Sequence, residues 1–190
     1  CTNLTHLELH RNQISNIAPL ASLINLTHLQ IQENQISNIP TLSQLTNLTS
    51  LYAGYNEISN IAPLANLPNL ETPHLQDNEI SNLSPLNDFP KLRELHIPNN
   101  QISSIPPDLT LTTLTSINLY NNQLTDISGL SNLSNLQGVE LSNNQQLTDY
   151  SSLSNLTQLR TLEARNNQLT SASAFESLTQ LTYLDLQDNF

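Results

Sequence analysis

The side chains best suited to chemistry in this 190-residue sequence are five histidines, His6, His10, His28, His74 and His96, and their spacing is regular. His6 and His28 stand 22 residues apart, as do His74 and His96. Two imidazoles on neighbouring segments can begin a metal site, with Glu8 and His10 as further ligands for the first pair and Glu94 for the second. Side chains that alternate along open strands lack the hydrogen bonds that hold such ligands in place, so no metal is expected. Protonation near the ordinary imidazole pKa of about 6.5 is the other chemistry these rings offer, and it would make partner binding depend on mildly acidic pH. A second set, Glu140, Glu163 and Asp185, repeats at the same spacing beside Arg165, giving an acidic row that is either suited to a basic partner or a cation or simply a solvated acidic face. Catalysis finds no support. Cys1 has no Cys-His arrangement around it, Gly54, Gly129 and Gly138 form no phosphate-binding loop, and no nucleophile stands next to a base. Neither an enzyme nor a cofactor is expected.

The elements that position these residues follow from composition and periodicity. Only 37% of the chain is hydrophobic and only 3 residues are Phe, too little for one thick globular core. Gly is scarce at 3 and the aliphatic residues are evenly spread, so disorder and collagen are excluded as well. Sixteen acidic residues against five Lys and Arg give a net charge of -11, which repels phosphate backbones and anionic membrane surfaces. Nucleic acid is therefore not an expected partner. With one cysteine no internal disulfide can form, and no apolar run approaches the roughly 18 residues of a spanning helix, so no membrane insertion is expected.

One asparagine returns at Asn12, Asn34, Asn56, Asn78, Asn100, Asn122, Asn144, Asn167 and Asn189, at a step of 22 residues and once of 23. Each closes the pattern L-x-x-L-x-L-x-x-N, as in Leu26, Leu29, Ile31 and Asn34. Alternation at Leu7 and Leu9 reads as a short strand, and the spacing of three in Ile14, Ile17 and Leu20 reads as a helical or 3₁₀ turn. One strand and one turn make a coil that cannot bury its own aliphatic row, so the coils must stack, strand beside strand at roughly 4.8 Å. The asparagines are assigned a structural role: their amides can serve backbone groups freed by the bend, within their own coil and the next. The extra residue in Asn144-Gln145-Gln146-Leu147 predicts a bulge after one strand. Pro73, at an inward strand position, predicts a local break in the ladder. Ala53 and Ala164 underfill another inward position, Tyr150 and Ala172 replace an Ile of the turn, and Asp108 stands where Leu is usual.

These residues resemble the internalin-type bacterial leucine-rich repeat, above all in the Ile-x-Pro-Leu element seen at Ile17-Ala18-Pro19-Leu20, Ile61-Ala62-Pro63-Leu64 and, with Leu first, Leu83-Ser84-Pro85-Leu86. The resemblance covers the whole chain. It implies an α/β fold, a right-handed leucine-rich-repeat solenoid with a concave parallel β-sheet and a 3₁₀ or irregular convex side, used to bind other proteins on host-cell surfaces. Residues 1–190 are then one domain of eight full repeats with partial repeats at both ends. The helical N-terminal cap and immunoglobulin-like C-terminal neighbour of such proteins are missing from it, so both ends of the core are expected either to be exposed, and then able to associate end to end, or to be covered by sequence beyond this segment.

If the inward strand residues are fixed by packing, those alternating with them face out of the concave sheet and are free to vary. They do vary. The residue between the two inward sites runs Glu8, Gln30, Tyr52, His74, His96, Asn118, Glu140, Glu163, Asp185, and all five His fall on this face. Tyr52, Tyr55, Tyr120 and Tyr183 join them, leaving only Tyr150 elsewhere, while the convex positions repeat Ser, Asn and Thr. Tyr supplies large, stiff contact area at low entropic cost, and its enrichment with His and Arg suits a protein-recognition surface. The expected function is recognition of a protein or glycan partner, such as a cell-surface receptor, by an extracellular or surface module. The alternatives are a cytoplasmic scaffold like the phosphatase-regulating leucine-rich repeat proteins, which share the 22-residue period, and a structural spacer that self-assembles through its ends. Asn-Leu-Thr or Asn-Leu-Ser triplets at Asn3, Asn25, Asn47, Asn82, Asn132 and Asn155 arise from the repeat itself and carry no glycosylation meaning in a bacterial protein.

Overall fold

The computed structural model describes residues 2–87 and 89–190; Cys1 lies outside the described residues. The alternation at each L-x-L produces a strand of three residues: β1 (His6–Glu8), β2 (His28–Gln30), β3 (Ser50–Tyr52), β4 (Thr72–His74), β5 (Glu94–His96), β6 (Ser116–Asn118), β7 (Gly138–Glu140), β8 (Thr161–Glu163) and β9 (Tyr183–Asp185). They form one parallel sheet in chain order, with Leu7 beside Leu29 and Leu29 beside Leu51. The architecture is a leucine-rich-repeat solenoid with a concave parallel sheet.

The spacing of three after each strand yields 3₁₀ segments at Ala18–Ser22, Pro40–Gln44, Ala62–Asn66, Ser84–Leu86, Ser128–Asn132, Ser151–Asn155 and Ser173–Phe175. In the first four of these a proline occupies the opening turn, where no donor is needed. Between sheet and turns the aliphatic rows merge into one continuous core, with Leu29, Leu51, Leu64, Leu95 and Leu141 fully buried.

Three packing expectations are refined. Pro73 leaves β4 in place, but its missing N–H falls on the side facing β5, where Leu75 next donates to His96 O at 2.9 Å; there the ladder keeps only the pair His74 and His96. The ladder towards β3 is complete. The extra residue forms a turn closed by Leu147 N–H on Asn144 O at 2.9 Å, so β7 and β8 pair Val139 with Leu162 and the sheet continues. Asp108 does not take the inward site that its spacing suggests. Burying a lone carboxylate costs more than a one-residue slip, so Leu109 fills the core while Asp108 stays in solvent. The slip brings the chain at Ile105 and Pro106 so close to the next coil that a Cβ on Gly129 would collide with both carbonyl oxygens. Tyr150 is buried at the position where the next coil has the small Ala172, and its ring meets Phe175 edge-on at 6.0 Å. Burial pushes its phenol up to about 12.

The recurrent asparagine bonds to its own coil and to the preceding one, correcting the expectation that it reaches the next. Asn34 Nδ2 donates to Ile31 O and to Leu9 O at 3.0 Å, and its Oδ1 accepts from Ile14 N–H at 3.0 Å. Asn78, Asn100 and Asn122 repeat the pattern almost fully buried. The direction follows from the bend: the carbonyl freed as a strand ends lies below the amide of the coil stacked on it. A second asparagine row holds the other corner, where Asn25, Asn47 and Asn69 donate to Thr2 O, Ile24 O and Thr46 O at 2.9, 3.0 and 3.1 Å. Immediately before each principal asparagine the chain turns through a left-handed residue, from Arg11 (φ 58°) through Tyr55 (φ 55°) to Asp188 (φ 57°).

Both ends of the stack leave apolar side chains open: Leu4 and Leu184 are exposed, the latter by 44%, although each belongs to a leucine series that is buried in the intervening coils.

Candidate functional site

The outward residues of the strands form rows across the sheet, one residue per coil. The first row opens with His6 and His28, whose rings stack 4.3 Å apart at 11°. Each imidazole is hydrogen-bonded through Nδ1 to the preceding threonine hydroxyl, Thr5 at 3.0 Å and Thr27 at 2.9 Å. Thr27 spends its proton on Thr5 O, so His28 Nδ1 is the donor in the second contact.

The second row carries a longer column. Tyr52 stacks on His74 at 4.5 Å and 7°, and His74 on His96 at 4.9 Å and 9°. The spacing is that of neighbouring strands, so the ladder itself delivers the rings at contact distance. His74, covered on both faces, is held below the usual imidazole range by burial and then by the proximity of His96, against the opposing pull of Glu94. Glu94 also bonds His96 Nε2 at 3.2 Å. Stacked rings point their nitrogen lone pairs side by side instead of converging. Among the described residues no group of three or more His, Cys, Asp or Glu side chains is arranged to hold a metal ion.

Further along the same row, Glu140 lies beside Glu163 and Glu163 beside Asp185. Burial and the neighbouring Glu140 charge raise the Glu163 carboxyl above its ordinary range, with Arg165 opposing. Glu140 accepts the Ser142 N–H, and Arg165 approaches Asp185 at 3.6 Å. Glu140, Glu163 and Arg165 line a groove of about 440 Å³ together with Tyr120, Asn166 and Asp188. Asp185 itself is only 7% exposed and does not line the groove; its carboxylate is occupied by Arg165 and the Gln187 N–H.

The remaining outward positions lie where alternation puts them: Glu8 and Gln30 precede the aromatic column, Asn118 follows it and binds the Tyr120 N–H at 3.0 Å, and Tyr55, Tyr120 and Tyr183 are exposed. His10 lies on the same face with its Nδ1 buried and unbonded. Sequence reasoning overlooked three features of this face. Arg11 clamps Glu33 on the next coil through Nε at 3.0 and 3.1 Å. Asn99 bridges Asp77 at 3.0 Å. Gln32 and Gln76 flank Gly54 with their amide oxygens buried and unbonded. The 22-residue offset, applied to every outward row, would have paired Arg11 with Glu33 and Asp77 with Asn99; the buried amides leave no such signature.

Leucine-rich repeat family models match residues 2–45, 112–155 and 157–190 in two-copy form, and residues 91–111 as a single repeat. A comparison with the curated proteins gives no match. Among solved structures, the chain is similar to internalin inlF of Listeria monocytogenes, with 31% identity and a TM-score of 0.77 over 98% of this chain and 62% of that one. Internalin C2 of the same species gives 27% identity and a TM-score of 0.87 over 97% and 82%. The Leptospira interrogans LRR protein LIC12759 gives 26% identity and 0.91 over 99% and 50%. The chain thus spans 62% of the length of inlF and half that of LIC12759.

Proposed function

Since the chain belongs to the leucine-rich repeat family, with coils of the internalin type, we propose that residues 1–190 act as one recognition domain that binds a protein partner through the concave face, at a cell surface or in the extracellular space. The fold is that of non-enzymatic protein-recognition modules. The observation that carries the reading is the division of labour between faces. Core and asparagine positions repeat nearly unchanged, whereas the outward strand rows gather every histidine and four of the five tyrosines.

Stacking makes those rings a stiff surface before any partner arrives, which lowers the entropy lost on binding. The partner is a protein in preference to nucleic acid. TLR13 in its complex with ssRNA13 is similar to this chain, with 29% identity and a TM-score of 0.83 over 97% of this chain and 28% of that one, but a net charge of -11 opposes a phosphate backbone. Among the described residues no helix is long and apolar enough to cross a membrane, so attachment to a surface would have to come from another source.

The test uses biotinylated cell-surface proteins captured on immobilised wild-type chain, on Tyr52→Ala/His74→Ala/His96→Ala, and on a convex control, Gln44→Ala/Asn66→Ala. Specific capture lost only in the concave variant, with circular dichroism unchanged, supports the reading. Equal capture by all three chains, or loss in the convex control alone, overturns it.

A further inference from the structure

Gly54 is an outward residue in the row His10, Gln32, Gly54, Gln76, and no glycine in the described chain has a positive φ. A glycine that the backbone does not require leaves space instead. The Gln76 side chain folds into that space: a Cβ on Gly54 would sit 2.6 Å from Gln76 Cδ and 2.7 Å from its Nε2. Gln32 and Gln76 flank the glycine on the adjoining rungs, joined by Glu33 N–H on Gly54 O at 3.0 Å and Tyr55 N–H on Gln76 O at 2.9 Å. The amide oxygens of both glutamines are buried without a donor, while Gln32 Nε2 is engaged with Gln30 Oε1 at 3.3 Å. An acceptor left in this state is costly, and a donor arriving from outside removes the cost.

The surroundings narrow the kind of donor. Tyr52 and Tyr55 stand on either side of the glycine in sequence, 37% and 53% exposed. Glu33 and Asp77 occupy, on the flanking coils, the same left-handed position as Tyr55. A neutral amide could meet the Gln76 Nε2 donor at the glycine as well as the amide oxygens, but it offers fewer donors and no charge. A lysine ammonium is compact and strongly hydrated. A guanidinium is flat, carries five donors and no acceptor, stacks on phenol rings, and is attracted by the Asp77 carboxylate, Glu33 being already paired with Arg11.

We propose that the notch at Gly54 is the anchor for an arginine side chain of the protein partner, received between Tyr52 and Tyr55 as Gln76 swings aside and bonded by the Gln32 and Gln76 amide oxygens. The inference rests on the concave-face reading above and names the chemistry of what that face receives. The net charge of -11 draws such a partner in from a distance.

The experiment is a titration of the ¹⁵N-labelled chain with N-acetyl-arginine amide, and with its lysine and glutamine counterparts, following the side-chain amides of Gln32 and Gln76 and the Gly54 N–H. The arginine compound should shift all three signals saturably, with affinity at least about 3-fold above the lysine compound. Gly54→Ala should abolish the response without unfolding, since the nearest atoms to its Cβ all belong to the flexible Gln76 side chain, which can turn outward. Gln76→Leu, which keeps the bulk but removes the acceptor, should weaken it about 5-fold or more. Equal shifts with lysine, a response confined to the Glu140 and Glu163 groove, or an undiminished response in Gly54→Ala would each overturn the proposal. The two readings fail separately: a captured protein lost on the Tyr52, His74 and His96 variant but retained on Gly54→Ala removes the anchor and leaves the concave face standing, whereas a protein retained on the triple variant removes the face.

Discussion

Tyr52 and His74, 22 residues apart in sequence, lie face to face at 4.5 Å with their planes within 7°. Neither ring contributes to the core; the backbone ladder brings them together, and His96 extends the column. A constant scaffold thus imposes order on residues that are free to differ from coil to coil, and the consequences can be measured.

The first concerns His74. Its folded pKa lies below the ordinary value, so the unfolded chain binds this proton more readily and protonation disfavours the fold. The contribution is absent above the unfolded value of about 6.5 and grows as pH falls from there, levelling off below the folded pKa. An NMR titration of the His74 ring should give a midpoint below about 6.5, and His74→Gln should flatten this part of the stability profile. A midpoint above the ordinary value would contradict the covered stack.

Glu163 has the opposite sign relation. Its folded pKa is raised, so ionisation opposes folding at neutral pH and the penalty is relieved as pH falls through the folded value towards the ordinary one. Glu163→Gln should melt higher than wild type at pH 7, with the gap closing towards about pH 4. A variant that melts lower at pH 7 would mean that Arg165 dominates the site.

The asparagine row should be much more sensitive than the outward strand face. Asn100 donates to Leu75 O, Ile97 O and Pro98 O at 3.1, 3.3 and 3.0 Å and accepts from Ile80 N–H at 2.9 Å. Asn100→Ala strands these groups in the interior and should cost about 2–4 kcal/mol in urea denaturation. Tyr52→Ala, at an exposed position, should cost below about 1 kcal/mol. Comparable losses would erase the distinction between scaffold and face.

Tyr55 holds a left-handed conformation at φ 55° that Asn occupies at four equivalent positions: Asn99, Asn121, Asn143 and Asn166. Asn tolerates this region better than an aromatic residue. Tyr55→Asn should therefore stabilise the chain by about 0.5–1 kcal/mol, seen as a higher melting temperature. Because it also removes a ring beside the Gly54 notch, partner binding should weaken as stability rises.

Period alone made the solenoid legible, because a coil with one aliphatic row has no other way to bury it. The same alternation placed His74, Tyr52 and Glu163 on one face. It could not show that the histidines stack, since a 22-residue offset specifies neighbouring strands but not ring orientation. Asp108 misled for a related reason: spacing assumes that the register is kept, whereas a turn closed by Leu109 N–H on Pro106 O at 3.1 Å carries Leu109 into the core. The direction in which Asn34 reaches, back to Leu9, depends on which carbonyl the bend frees, and only the stacked coils reveal that.

The central claim is that the outward strand rows, and not the 3₁₀ side, meet the partner. Hydroxyl-radical footprinting of the chain with and without a captured protein reads this directly on Tyr and His side chains. The account predicts protection at Tyr52, Tyr55, His74 and His96, with Pro40–Gln44 and Ala62–Asn66 unchanged. Protection of those two 3₁₀ segments, with the four rings as reactive as in the free chain, would contradict it.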